Sequence, residues 1–124
     1  MYHGFSDPDI SPLNSINYYE SVISALGGQE SRQQALTETQ DFFRLFMVPG
    51  MQHCRGGPGP SEFDMVTALE QWVEHGVAPS RIIASHLTSG AVDRTRPLCP
   101  YPQAAEYTGK GSTDDAENFV CRLP

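Results

Sequence analysis

Residues 42–60, "FFRLFMVPGMQHCRGGPGP", pass from an apolar run through Pro49-Gly50 into a loop of glycine and proline. The run "FFRLFMV", residues 42–48, is too short for a helix and stops at strong turn residues, so it reads as a buried strand. The loop after it sets His53 directly beside Cys54, one of three cysteines in the chain. Ligands and reactive groups gather at the carboxyl ends of strands in open α/β sheets. A metal site, a redox thiol and a catalytic histidine all start from such a pair.

Upstream, "SPLNSINYYESVISALGG", residues 11–28, has helical spacing at Ile16, Tyr19, Val22, Ile23 and Leu26. Ser11 reads as the N-cap, Pro12 as the first helical residue, where a missing N–H costs nothing, and Gly27-Gly28 as the stop. The polar stretch "QESRQQALTETQD", residues 29–41, links or extends that helix. Downstream, "SEFDMVTALEQWVEHG", residues 61–76, predicts a further helix. Its start is capping-box-like, with Ser61 and Asp64, and Phe63, Val66, Leu69 and Val73 form its buried stripe. "RIIASHL", residues 81–87, predicts another strand, and residues 90–124 an irregular tail that needs covalent support. Helices alternating with short apolar strands predict an α/β fold with a largely parallel sheet. Parallel strands need neighbours and helices on both faces. Two strands therefore make this one part of a larger sheet, incomplete on its own.

The composition is that of a soluble globular domain, 39% hydrophobic and 19% charged, in 124 residues without a linker or repeat. No apolar run approaches the ~20 residues that span a bilayer. Eight Lys+Arg against fifteen Asp+Glu give a net charge of −7, which argues against nucleic acid or an anionic membrane as partner. No cofactor or metal is expected. The prolines of "RGGPGP" remove the N–H donors a phosphate cradle needs, and "GKGST" lacks the P-loop pattern. His53, Cys54, His75 and His86 match no short zinc spacing. "TDDAEN" reads as a solvated helix start with Thr113 as cap rather than a calcium loop.

Two loops remain as candidates for chemistry, "YHGFSDPDISP" and "PGMQHC". An acid followed, after the next strand, by a histidine is the second half of the order Ser…Asp…His of α/β-hydrolases. There the histidine takes a proton from the serine hydroxyl, and the carboxylate holds its other ring nitrogen. Asp7 is the better acid, since Asp9 lies two residues on toward the helix. Spacing alone leaves Asp7 equally well an Asp-Pro turn former and favours His53 as a solvated loop residue. His3 reads as structural, His75 as a helix C-terminal histidine and His86 as a strand residue.

"YHGFSDPDISPLNSINYYESV", "FFRLFMVPGMQHCRGGPGP" and "RTRPLCPYPQAAEYTG" resemble the C-terminal portion of the tannase and feruloyl esterase family over nearly the whole chain. The resemblance implies the C-terminal part of an α/β-hydrolase catalytic domain, residues 1–124, that acts on esters of aromatic acids. It carries two triad roles over to Asp7 and His53, and it pairs Cys54 with a cysteine beside the nucleophile, beyond this chain. The family's Gly-x-Ser-x-Gly elbow and its lid domain are absent, so the N-terminal part of the catalytic domain is the missing partner. The chain as given is then a truncated or partner-dependent module, inactive by itself. Cys99 and Cys121 are expected to brace the tail, and two disulfides imply an oxidising compartment, secreted or periplasmic.

Overall fold

Strand β2, Phe46–Val48, lies parallel to β1, Tyr2–Gly4, in the computed structural model, which describes residues 1–28 and 31–124. Tyr2 faces Phe46, His3 faces Met47 and Gly4 faces Val48. The strand is shorter than the sequence predicts. Phe42 and Phe43 instead donate their amides to the carbonyl of Thr39 and finish the preceding helix as a turn. β2 is apolar throughout because both of its faces are covered. Phe46 and Val48 point into one core with Met51, Ile82, Ala84 and Leu98. Met47 packs against the other, built from Tyr19, Ile23, Ala35, Leu36 and Leu45.

Two helices connect β1 to β2: α1, Pro12–Gly27, and α2, Arg32–Gln40. Ser11 stands at the N-cap of α1, but its hydroxyl makes no cap bond. Tyr19 and Ile23 are buried and Leu26 is exposed. The polar stretch is a separate helix, capped by Ser31, whose Oγ accepts from the amide of Gln34 at 3.3 Å. Its first two residues, Gln29 and Glu30, lie outside the described residues.

The third helix corrects the sequence reading twice. α3 spans Met65–His75, and its N-cap is Asp64, accepting from the amide of Thr67 at 2.9 Å, not Ser61. Ser61 accepts the Gly56 amide instead. Val66, Leu69 and Val73 are 67%, 56% and 75% exposed, so the stripe expected to be buried faces solvent. Met65 and Ala68, one residue back along the helix, face the core with Phe63, and Arg44 lies over the ring of Trp72.

The remaining strands are antiparallel, which corrects the largely parallel sheet. β3, Ile82–Thr88, pairs with β4, Ala91–Leu98, across the two-residue turn Ser89-Gly90. Both turn residues have positive φ, 52° and 82°, the requirement of the tight hairpin turn whose twist matches its strands. The tail is regular rather than irregular. β5, Ala104–Tyr107, pairs with β6, Phe119–Arg122, and a short 3-10 turn, Ala116–Asn118, precedes β6 with Asp115 rather than Thr113 as its cap. A disulfide joins Cys99 to Cys121, 22 residues apart, and ties this hairpin to the end of β4. No helix among the described residues is long and apolar enough to cross a membrane.

Candidate active site

β1 and β2 run in the same direction, so the loops that leave their carboxyl ends emerge side by side. The first loop stays close to the second because the amides of Phe5 and Ser6 donate to the carbonyls of Val48 and Met51, at 2.9 and 3.0 Å. Gly4 makes the crossing possible: a Cβ there would collide with the carbonyl oxygens of Met51 and Gln52. Beyond it, Asp7 folds the chain back on itself. Its Oδ1 accepts the amides of Asp9 at 2.8 Å and Ile10 at 3.0 Å, an Asx-type turn.

The second loop begins with Pro49-Gly50, where the amide of Met51 returns to the carbonyl of Val48 and Gly50 takes φ 76°. That is the signature of a type II turn. His53 follows at the head of a γ-turn: the amide of Arg55 donates to its carbonyl at 2.9 Å, and Cys54 sits between them at φ 64°. Gly57 and Gly59 close the loop against the backbone of Pro49 and Gly50 too tightly for any Cβ. The "RGGPGP" segment is thus a backbone clasp.

Asp7 and His53 meet where these loops meet. Oδ2 of Asp7 lies 2.9 Å from Nδ1 of His53 across 46 residues of sequence. The acid is almost fully enclosed, its side chain 3% exposed, whereas that of His53 is 44% exposed. Burial pushes the Asp7 carboxyl up. The Ile10 and Asp9 amides, His53 and His3 together outweigh that and hold it well below the usual carboxylate range. An ionised carboxylate only accepts, so Nδ1 of His53 must carry the proton. In the neutral ring Nε2 keeps its lone pair, and it has no hydrogen-bond partner among the described residues.

His3, which the sequence makes a structural histidine, joins the group. Its Nε2 lies 3.0 Å from the same Oδ2 of Asp7 and 3.2 Å from the carbonyl of Ile10, and its Nδ1 lies 2.7 Å from Ser15 Oγ. Periodicity carries no signal for this contact; the i,i+4 spacing of His3 and Asp7 is the sole trace of it. Cys54 is exposed with a free thiol. Asp9 brings a carboxylate to within 4.8 Å of the ligand atoms of Asp7 and His53, while His75 and His86 are not part of that group. His86 pairs instead with Asp93 on the β3–β4 hairpin, at 2.6 Å. A small cleft of about 130 Å³ opens over His3, Asp7, His53 and Cys54. The larger cavity, about 590 Å³ between Pro58 and Tyr101, is lined by neither Asp7 nor His53.

A family model described as tannase and feruloyl esterase matches residues 1–122. The chain is 46% identical over 127 residues to the mono(2-hydroxyethyl) terephthalate hydrolase of Piscinibacter sakaiensis, covering 100% of this chain and 19% of that protein. It is also 46% identical over 144 residues to an uncharacterised esterase of Xanthomonas campestris, covering 98% of this chain and 25% of that one. The crystal structure of feruloyl esterase B from Aspergillus oryzae superposes with a TM-score of 0.85 at 32% identity, over 98% of this chain and 26% of that one. The chain therefore spans between 19% and 25% of the length of these two curated relatives. With the family model running from the first residue to Arg122, the chain belongs to the tannase and feruloyl esterase family.

Proposed function

We propose that this chain supplies the acid and the histidine of a serine carboxylesterase of the α/β-hydrolase fold, the nucleophilic serine coming from polypeptide outside residues 1–124. The observation that carries the reading is the 2.9 Å contact between Asp7 Oδ2 and His53 Nδ1, with Nε2 left free to accept a proton. His53 takes the serine hydroxyl proton as the oxygen attacks the ester carbonyl, then returns it to the departing alkoxide. It repeats the cycle with water to release the acid. Asp7 orients the ring and stabilises the imidazolium, and the oxyanion hole comes from backbone amides outside this chain. The substrates are esters of aromatic acids, a class supported by the names of the relatives: tannase, feruloyl esterase and a terephthalate ester hydrolase. In the same reading the partner of Cys54 lies beyond this chain, and the Cys99–Cys121 disulfide favours a secreted or periplasmic location.

A chimera in which residues 1–124 replace the matching segment of the Piscinibacter sakaiensis hydrolase tests this. It is expected to hydrolyse an aryl benzoate ester and to lose that activity by about 10³-fold or more in the His53→Ala variant. An unchanged rate in that variant would overturn the assignment. The second reading, a module inactive without its partner, is favoured by the small share of its relatives that the chain spans. The purified chain alone is expected to show no turnover. Turnover abolished by His53→Ala would refute the external nucleophile.

A further inference from the structure

We propose that His3 is a positioning residue for the acid–histidine pair: it occupies the second acceptor site on Asp7 Oδ2 and so holds that oxygen in line with Nδ1 of His53. The inference rests on the catalytic reading of Asp7 and His53 above. His3 is itself fixed from three sides. The carbonyl of Ile10 can only accept, so Nε2 of His3 must carry the proton, which it shares between Ile10 at 3.2 Å and Asp7 at 3.0 Å. Nδ1 is then the acceptor, and Ser15, in the first turns of α1, donates its hydroxyl there at 2.7 Å. The ring is 13% exposed and stands on β1. A chain of hydrogen bonds therefore runs from α1 through His3 and Asp7 to His53.

Two physical effects compete on Oδ2. A second donor draws charge from the oxygen and weakens its pull on His53, but it also adds to the Asp9 and Ile10 amides on Oδ1 in keeping the carboxylate from turning. Positioning wins here for a specific reason. The side chain of Asp7 is 3% exposed, a water in place of His3 would hold Oδ2 less firmly than a ring fixed at three points, and hydrogen bonds weaken steeply once their angle falls below about 120°. A competing acceptor is also at hand, because the exposed carboxylate of Asp9 lies within 4.8 Å of the same group. With Oδ2 bound by His53 alone, His53 has a second carboxylate to turn toward.

Nitrogen-15 spectra of the histidine rings in the purified 124-residue chain test the proposal. In the unsubstituted chain His53 is expected to be the Nδ1–H tautomer. His3→Leu is expected to reduce that tautomer's share, and His3→Gln to keep it, since the amide nitrogen of Gln falls where imidazole Nε2 stood. In the chimera, His3→Leu should lower kcat by about tenfold or more with KM unchanged, and His3→Gln should recover most of the loss. Should His3→Leu fail to fold, Ser15→Ala removes only the hydroxyl behind the ring, and a smaller shift in the same direction is expected. A His53 tautomer unaltered in His3→Leu, or equal effects of Leu and Gln, would overturn the role of His3. An Nε2–H tautomer in the unsubstituted chain would instead overturn the Asp7–His53 pair itself.

Discussion

Gly4 lies so close to Met51 that a Cβ on the glycine would stand 2.9 Å from the carbonyl carbon and nearer still to its oxygen. Both partners are backbone, so neither can step aside by changing rotamer. Gly4→Ala is therefore expected to push the His53 loop away from the end of β1. We expect a stability loss of about 1–3 kcal/mol, the usual cost of overpacking, read as a lower denaturant midpoint. The signal of the Asp7–His53 contact should weaken in the same variant.

Asp7 links the site to pH. Its carboxyl is held below its ordinary value, so it contributes stability that is fully present above the unfolded value, about 3.9. That contribution is lost as pH falls from there through the depressed folded value. The difference in urea midpoint between the unsubstituted chain and Asp7→Asn should shrink steadily below about pH 4. A difference that grows on acidification would contradict the hydrogen-bond assignment.

The disulfide carries its own prediction. Cys99 and Cys121 close a loop of 22 residues around the β5–β6 hairpin, worth roughly 3 kcal/mol in the chain-entropy model. Reduction should lower the thermal midpoint. It should also raise amide exchange first at Ala104–Tyr107 and Phe119–Arg122, whose hairpin has few buried side chains of its own.

On α3 two apolar stripes lie side by side, Met65–Ala68–Trp72 and Val66–Leu69–Val73. Helical periodicity cannot say which faces inward, because a rotation of about 100°, one residue, exchanges them. Phe63, just ahead of the helix, packs into the core and selects the first. Val66→Gln and Val73→Gln should therefore change stability by less than about 0.5 kcal/mol. Met65→Ala should cost more, checked by the same denaturant series.

Other features divide in the same physical way. Pro49-Gly50, the start of α1 and the nearness of Asp7 to His53 rest on local turn chemistry or on a family motif, and the sequence carries both. β4 was illegible because "AVDRTRPL" mixes charge and proline on a strand whose first three residues are exposed and last two buried. Its real signal was the Ser89-Gly90 pair, which forms the hairpin turn. His3 was illegible for a different reason: its partners are an oxygen four residues on and a hydroxyl on the next helix, and no periodicity records either.

The central claim is that Asp7 and His53 act as one catalytic unit, and a double-mutant comparison of ester hydrolysis by the chimera tests it most directly. Asp7→Asn should lower kcat by about 10³–10⁴, and His53→Ala by at least as much. The double variant should be no slower than His53→Ala alone, because residues that work as a unit are lost only once. Losses that multiply, or an Asp7→Asn variant that keeps the full rate, would contradict the account.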